Sequence, residues 1–433
     1  MQSKIQNLKS KMVLPLFATS YFLLPLLLFL ATPAHANRLL TTGAEENNYT
    51  ATMWTSNNGP TIVTSPVHSG TYAFQSANAT GNSRWFRLTL ASTKTSGTLY
   101  FRFYVNFTSL PAGTIELLRD RSGGSTDALS VEVDSSAHVV LHNILSTTTQ
   151  TSTATISTAT WYRIEVKHVI ADSPNGSFEL KLFTGDSTTA TETLSITGED
   201  TLPTNIGIFS FSNITAAPTG GYTVSFDDIA INDEAGSAPF NGYPGPGKTF
   251  LLKPNANVTQ GFASSTGCTG NGHYDCLDDL PGTPDDATTY IEDSGNTNYD
   301  RLNLTNLGAE VPSSADIIAV DVYARVGGDS TTPRTMKLRL WDEGGNATEG
   351  PDITVNMNGW EILQSSEHLV FNAAAHTKAN LDSFDVGCQG VLATEVKRFS
   401  AIWANVEWIE APASSTSLSI TGGVTLTGGV TLQ

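Results

Sequence analysis

Short stretches in which apolar and polar residues alternate recur along most of this chain, and Gly, Asn, Asp or Pro separate them. Residues 99–105 (Leu-Tyr-Phe-Arg-Phe-Tyr-Val) and 161–166 (Trp-Tyr-Arg-Ile-Glu-Val) are clear cases. A period of two places successive side chains on opposite faces of a β-strand. The 3.6-residue period of an amphipathic helix is nearly absent. The pattern therefore predicts an all-β sandwich rather than an α/β enzyme fold.

The residues around Asn175-Gly176 predict a β-hairpin. Residues 161–166 and 178–183 alternate on either side of this pair. Asn-Gly is a strong turn signal because both residues tolerate a positive φ. Further strands predicted at 128–133 and 224–231 extend the same β-rich unit.

Residues 1–36 predict a cleavable secretion signal. Three lysines and no acid precede an apolar stretch from Met12 to Leu30, and Ala34-His35-Ala36 has the small-x-small pattern that signal peptidase cuts. The stretch is long for a signal, so an uncleaved membrane anchor is the alternative. The two prolines inside it favour cleavage. We expect a mature chain that begins at Asn37 and is secreted or held at the cell surface.

The charge balance limits the possible partners. The chain has 23 basic and 41 acidic residues, and loss of the three signal lysines leaves 20 against 41, a net charge of −21. Such a protein repels nucleic-acid phosphates and anionic lipid headgroups. No second apolar stretch approaches the roughly 20 residues that span a bilayer. We expect extracellular glycans or surface proteins as partners, no nucleic acid, and no membrane after signal cleavage.

Composition divides the rest of the chain into two domains. Pro and small residues are concentrated in 236–247, which is typical of a linker. We predict a first domain at 37–235, a second and smaller β-sandwich at 248–411, and a tail at 412–433. The tail holds two copies of Thr-Gly-Gly-Val-Thr-Leu and is expected to be flexible or strand-donating.

The cysteines predict one small-loop disulfide. Cys268 and Cys276 are close in sequence, and export permits the bond. Zinc is disfavoured because His273 is the only other soft ligand nearby. Cys388 follows a strand-like segment and is expected to be a buried, inert thiol.

Several short motifs follow one another within residues 38–235. Gly43-Ala44-Glu45, which Trp54 follows, is similar to the Gly-Phe-Glu opening of concanavalin-like jelly rolls, and residues 99–105 and 161–166 resemble laminin-G-like domains of the same superfamily. His68-Ser69-Gly70-Thr71-Tyr72 resembles the Ser-Gly-x-Tyr strand. Phe226-Asp227-Asp228-Ile229 resembles the closing Asp-Asp-Ile. The resemblance implies an N-terminal concanavalin-like jelly-roll sandwich of carbohydrate-binding type.

The resemblance also implies a structural calcium ion. In such domains the first and last strands pair, and the opening glutamate and closing aspartate hold the ion. Carried over, the ligands are Glu45 and Asp227, with Asp228 or Glu46 as substitutes and carbonyls near 69–70 completing the site. Calcium takes about six to eight hard oxygens, which suits clustered carboxylates. Solvated acidic turns are the alternative for the same residues.

Aromatic residues are available for sugar binding, but most are expected to pack in the core. The candidates in the first domain are Trp54, Trp85, Tyr100, Trp161 and Tyr162. A sugar platform requires an exposed ring with polar groups nearby. The sequence therefore supports a lectin-like fold without identifying a sugar contact.

Catalysis is a minor alternative. Retaining glycosidases of this superfamily carry two glutamates around an aspartate on one strand. Residues 131–136 begin that pattern at Glu132 but lack the second glutamate. A lyase needs a Tyr/His or Lys pair beside a carboxylate-neutralising group. No sequence pattern links His138 and His142 to such a group, so only a pair assembled from distant strands would give an enzyme.

Residues 277–291 resemble a segment of β-sandwich units in phage virion and bacterial surface proteins, for which no activity is implied. Their aspartates, Asp278, Asp279, Asp285 and Asp286, lack the regular spacing of a calcium loop. Solvated acidic turns are therefore expected there.

Taken together, these features predict a secreted, non-catalytic glycan-binding or adhesion protein with a calcium-stabilised jelly roll. One alternative is a structural surface or virion-like component that binds protein neighbours. The second alternative is a polysaccharide lyase or glycosidase with a cryptic site.

Overall fold

The computed structural model describes residues 38–48, 54–78, 83–123, 126–214, 221–236, 238–270, 272–295, 297–327, 333–350, 352–355, 360–364, 376–392 and 396–410. Within these ranges nearly all regular structure is β-strand, which confirms the all-β fold class. The exceptions are a short helix, α1 (Lys378–Leu381), and a 3-10 turn (His273–Cys276). No helix in these ranges is long and apolar enough to cross a membrane. The predicted signal (1–36) and tail (412–433) lie outside the described residues.

The described residues of the first sandwich form fifteen strands: β1 (Arg38–Thr42), β2 (Ser56–Asn58), β3 (Thr61–Val63), β4 (Ala73–Asn78), β5 (Trp85–Lys94), β6 (Gly97–Ser109), β7 (Ile115–Arg121), β8 (Asp127–Val133), β9 (His138–Asn143), β10 (Thr148–Thr155), β11 (Trp161–Ile170), β12 (Gly176–Thr184), β13 (Glu192–Glu199), β14 (Ile206–Phe211) and β15 (Tyr222–Asp233). An eight-stranded sheet runs β13-β12-β11-β6-β15-β4-β3, with β1 beside β15. A seven-stranded sheet runs β10-β9-β8-β7-β14-β5-β2. Because the chain crosses repeatedly between two antiparallel sheets, the topology is that of a jelly-roll sandwich.

The core of this sandwich lies between the two sheets. Alternate residues of β6, among them Phe101 and Phe103, are fully buried there. The ring of Phe101 lies 5.0 Å from that of Phe209 on the opposite sheet. Burial of each such ring contributes about 2–3 kcal/mol. The predicted hairpin is confirmed, because β11 pairs with β12 from Tyr162 opposite Thr184 onwards.

The second sandwich is smaller, and the part of it that the structure describes has twelve strands: β16 (Lys248–Leu252), β17 (Pro254–Thr259), β18 (Ser264–Thr266), β19 (Tyr290–Asp293), β20 (Tyr299–Leu304), β21 (Asp316–Gly327), β22 (Arg334–Trp341), β23 (Ala347–Glu349), β24 (Ile353–Val355), β25 (Glu361–Gln364), β26 (Asp385–Gly390) and β27 (Lys397–Ile409). One sheet runs β18-β19-β27-β21-β25 with β16 beside β27. The other runs β17-β20-β26-β22-β23 with β24 beside β22. Cys268 and Cys276 are disulfide-bonded with their Cα atoms 5.1 Å apart, and Cys388 is a buried free thiol.

The two sandwiches belong to one compact unit, and the connecting segment is part of its packing. Phe240 is 1% exposed and packs against Ile318 of β21. The Tyr243 hydroxyl donates to Glu179 of β12 at 2.7 Å. Residues 236–247 have the composition of a linker, but the described part of the segment contacts both sandwiches.

A buried ion network joins the sandwiches. Arg38 of β1 and Arg102 of β6 both pair with Glu407 of β27, and Arg38 Nη2 lies 2.8 Å from Glu407 Oε2. All three side chains are at most 1% exposed. Burial lowers the pKa of Arg38 to about 10. Burial alone would raise the pKa of Glu407, but the two arginines hold it below its usual value. Both arginines therefore remain charged and depend on one carboxylate.

Candidate functional site

The pairing of the first and last strands of the jelly roll brings the predicted calcium ligands together. Thr42 of β1 lies opposite Ile229 of β15, so the turn that carries Glu45 is close to Asp227. A bulge shifts the β15–β6 register after Asp227, and Asp228 has a φ of 46°. A bulge re-aims side chains along a strand, which explains why both adjacent aspartates are buried here.

Glu45 and Glu46 point in different directions. The Glu45 carboxylate accepts hydrogen bonds from the backbone N–H groups of Thr71 and Tyr72, each at 3.0 Å. It lies against Gly70, where an added Cβ would come within 2.4 Å of the carboxyl group. Glu46 instead accepts a hydrogen bond from Asn405 of the second sandwich. Only Glu45 therefore lies with Asp227.

The two aspartates accept hydrogen bonds from the residues that follow the Ser65-Pro66 segment and from β16. Asp227 Oδ2 accepts from the His68 N–H at 2.7 Å. Asp228 contacts the His68 ring at 2.6 Å and the Ser69 hydroxyl at 2.7 Å. It also accepts from the Thr249 N–H at 2.7 Å, which ties this end of the jelly roll to the second sandwich.

Burial and neighbouring negative charges disfavour the ionised forms of Glu45 and Asp227. Burial raises the pKa of Glu45 to about 8 against the opposing bonds from Thr71 and Tyr72, and the charges of Asp228 and Glu46 raise it further. Burial, followed by the Asp228 charge, raises the pKa of Asp227. Among the described residues no three acidic, histidine or cysteine side chains converge as a metal site does. The donors are hard oxygens of the kind calcium takes, but side chains alone do not complete its shell.

Polar side chains at the centre of the outer face of the eight-stranded sheet are covered by neighbouring residues. Its central polar side chains, Arg102, Tyr104, Arg163 and Glu165, are each at most 3% exposed. The His68 ring stacks on Tyr104 at 3.8 Å. Arg163 Nη2 donates to the Ser187 carbonyl at 2.9 Å. The described residues therefore leave no open surface for a glycan at the centre of this sheet.

The outer face of the seven-stranded sheet carries a row of polar side chains across five strands, of which the two serines are buried and the two arginines and the histidine are partly exposed. Residues directly opposite each other in an antiparallel pair point to the same face. The registers of β5, β14, β7, β8 and β9 align one such set, which we call the polar row: Arg87, Ser210, Arg119, Ser130 and His142.

Neighbouring side chains fix the polar row in place. Arg87 Nε donates to Ser210 Oγ at 2.9 Å, and its guanidinium lies 4.2 Å from the Trp85 ring centroid. Arg119 Nη1 donates to Asp127 at 2.8 Å. The row thus holds two guanidinium groups and an imidazole in partly exposed positions, with the buried hydroxyls of Ser210 and Ser130 between them.

Arg87 differs from the other arginines of this face in the partners that hold it. Arg119 pairs with the carboxylates of Asp127 and Glu116, whereas the side-chain contacts of Arg87 are the hydroxyl and ring described above. Burial lowers the pKa of Arg87, the nearby charge of Arg121 lowers it further, and the charge of Asp127 partly offsets both. A carboxylate of a ligand would offset the repulsion from Arg121 as well.

Two residues named from the sequence, Glu132 and His142, meet beside the polar row. His142 Nδ1 lies 3.1 Å from Glu132 Oε1. The second glutamate that the sequence pattern lacked is Glu116 on β7, which lies directly opposite Glu132. Its carboxylate is already engaged, because it accepts from the Ile214 N–H at 3.0 Å and pairs with Arg119. His138 pairs with Asp134 instead.

The candidate aromatic residues do not form an exposed platform. Trp54 and Tyr162 are buried, and Trp85, Tyr100 and Trp161 are half-buried. In the described part of the chain the large apolar side chains that are exposed are aliphatic: Val258, Leu280 and Leu392, at 45–50%. All three lie in the second sandwich.

Sequence reasoning missed Arg87, Arg119, Ser130 and Ser210. They lie on four strands between residues 85 and 211, and each is one polar position in an ordinary alternating strand. Only the register places them in one row. The signal available in the sequence was the basic character of strand β5, which has two basic residues and no acid in an otherwise acidic chain.

No protein-family model and no curated protein matches this chain. Among solved structures it is similar to the endo-β-1,4-glucuronan lyase of Trichoderma reesei at 12% identity and a TM-score of 0.34, covering 45% of this chain and 94% of that one. It is similar to an alginate lyase of Aplysia kurodai at 11% identity and a TM-score of 0.36, covering 46% of this chain and 100% of that one. It is also similar to the CBM22 tandem domain of Paenibacillus barcinonensis Xyn10C at 10% identity and a TM-score of 0.25, covering 86% of this chain and 98% of that one. These are β-rich proteins of carbohydrate degradation or binding, but TM-scores this low carry no argument for fold or function.

Proposed function

We propose that this chain is a secreted, non-catalytic glycan-binding or adhesion protein whose glycan lies on the polar row of the first sandwich. The observation that carries the proposal is the alignment of Arg87, Ser210, Arg119, Ser130 and His142 on one sheet face, where the arginines and the histidine are partly exposed. Sugar hydroxyls and carboxylates are recognised by such fixed polar groups. We also propose that the first sandwich is related to laminin-G-like domains and the second to units of phage virion and bacterial surface proteins.

A glycan array of the full secreted chain tests this function. Saturable binding to a defined set of glycans is the expected result, and glycans with a carboxylate are expected among them because of Arg87. Silence on a broad array from a folded protein would contradict the proposal. It would favour the structural alternative, a surface component that binds protein neighbours. Val258, exposed on β17 at one edge of its sheet, would then be a candidate contact.

We propose in addition that calcium binds between Glu45 and Asp227 as a structural ion. The support is the pair of buried carboxylates, which a divalent cation would neutralise, and the hard-oxygen donors around them. The ion would stabilise the closing strands of the jelly roll and take no part in chemistry. Thermal unfolding with calcium and with chelator tests this. A melting temperature that falls with chelator in the wild type but not in Glu45→Gln is expected, and identical curves would contradict it.

A second candidate function, a polysaccharide lyase, rests on the contact between His142 and Glu132 beside Arg119. Arg119, which already pairs with Glu116 and Asp127, would have to exchange one of these carboxylates for that of a uronate, and His142 would take the proton from the adjacent ring carbon. The ring carbon then forms a double bond to its neighbour as the glycosidic oxygen leaves and takes a proton from water. Ultraviolet absorbance of the unsaturated product tests this on acidic polysaccharides. Activity that His142→Ala abolishes would convert the binder into an enzyme, and no absorbance change would leave it non-catalytic.

A further inference from the structure

We infer that the second sandwich carries a separate binding site for a neutral sugar, on the outer face of the sheet β17-β20-β26-β22-β23. Three neighbouring strands place outward-facing residues in register there. Tyr299 of β20 lies opposite Gln389 of β26. Arg301 and Arg339 lie opposite Gly387 from either side. We call these residues, with Trp341, the Tyr299 face.

Gly387 makes the centre of the Tyr299 face flat and aromatic. An added Cβ at this glycine would lie 2.7 Å from the Trp341 ring, so the ring covers the bare backbone. The Tyr299 ring lies 5.7 Å from the Trp341 ring at an angle of 32°. Trp341 is 4% exposed, whereas Tyr299 is only half-buried. Tyr299 is therefore the more exposed of the two rings and the one that a sugar would contact.

Two guanidinium groups lie on these rings and are held there. The Arg339 guanidinium is 4.7 Å from the Tyr299 centroid, and that of Arg301 is 5.1 Å from Trp341. Arg301 Nε also donates to Asp385 at 2.6 Å. Stacking and pairing fix the rigid fork of each arginine, so its remaining N–H groups are positioned before a ligand arrives.

Buried polar atoms without partners indicate the kind of ligand. Gln389 is 9% exposed, and its Oε1 is a buried acceptor to which no described group donates. Arg339 Nε on the same face is a buried donor with no acceptor in the described chain. A hydroxyl group both donates and accepts, so a polyhydroxylated ring can satisfy both atoms. Aromatic stacking and hydroxyl recognition together point to a sugar.

The charges of the Tyr299 face favour a neutral sugar over an acidic one. Carboxylates match the cations on and beside this face: Asp385 pairs with Arg301 at 2.6 Å, and Asp352 pairs at 3.2 Å with Lys337, which lies opposite Gln389. Arg339 pairs with Glu349. A uronate would have to displace one of these carboxylates, whereas a neutral ring would not.

Calorimetric titration of the full chain with cellohexaose, xylohexaose and tetragalacturonate tests this inference. We expect a neutral hexaose to bind, and Tyr299→Ala to weaken that binding about tenfold, the cost of losing one aromatic contact. Gln389→Leu should weaken it by a similar factor. The matched control is Tyr290→Ala, because Tyr290 is also half-buried with an arginine 4.8 Å from its ring, on the other sheet.

The inference would be overturned if neither cellohexaose nor xylohexaose bound. It would also be overturned if Tyr299→Ala and the wild type bound a neutral hexaose with equal affinity. Binding of tetragalacturonate that Arg87→Ala removes and Tyr299→Ala leaves intact belongs to the polar row. That result supports the proposed function whether or not the second site exists. Circular dichroism of each variant separates lost binding from lost folding.

Discussion

Replacement of Glu407 by alanine is expected to destabilise the whole chain. The substitution removes the carboxylate that Arg38 and Arg102 share and leaves two fully buried guanidinium groups without it. Removal of one partner from a buried ion pair costs about 3–5 kcal/mol, because an uncompensated charge remains out of water. Arg102 retains the Asp228 carbonyl at 2.9 Å, which places the expected loss within that range rather than above it.

Equilibrium unfolding in urea, followed by tryptophan fluorescence and circular dichroism, measures this loss. The matched control is Glu410→Gln, because Glu410 is an exposed acid at the end of the same strand, 3.3 Å from Lys248. That control should change the free energy of unfolding by less than about 0.5 kcal/mol. Because Glu407 joins both sandwiches, the two probes should shift together. A loss below about 1 kcal/mol for Glu407→Ala would refute the view that this network stabilises the junction.

Three further predictions follow from single sites. Without calcium, the free energy of unfolding should fall as the pH rises from 5 to 8. Glu45 has a pKa of about 8 in the folded chain and about 4.5 in the unfolded chain, so only the folded chain keeps the proton in that range. Urea denaturation across the range checks this, and a stability that rises with pH would contradict it. Reduction of the Cys268–Cys276 bond should cost about 2–3 kcal/mol by freeing an eight-residue loop, measured by melting with and without reductant, and unchanged melting would argue against it. Gly387→Ala should lower the free energy of unfolding by at least about 2 kcal/mol, since the new Cβ would come within 2.1 Å of the Asp300 carbonyl and displace Trp341. An unchanged urea midpoint would show that the sheet rearranges to accommodate the Cβ.

The strands were predictable because their signal is local. The alternation at 99–105 and 161–166 lies within β6 (Gly97–Ser109) and β11 (Trp161–Ile170). Each strand buries one face in a sandwich core, so the sequence must alternate there. The pairing of first and last strands was implied by the family resemblance, and the register of Thr42 opposite Ile229 agrees with it.

The sites and the junction were not predictable, because they depend on contacts between distant residues. Arg102 and Glu407 are 305 positions apart. The linker composition of 236–247 gave no sign that Phe240 would be buried, since composition reports chain stiffness and not packing. The polar row likewise depends on strand register, which a pattern of alternating residues leaves open.

The central claim is that glycan binds on the polar row of the seven-stranded sheet. Calorimetric titration of the full chain with the tightest acidic glycan from the array, repeated with Arg87→Ala, tests it most directly. Arg398→Ala is the matched control, because Arg398 also lies on an aromatic ring, 4.8 Å from that of Tyr290 in the other sandwich. The account predicts a loss of about tenfold or more for Arg87→Ala and none for Arg398→Ala. Equal affinities for wild type and Arg87→Ala would contradict it.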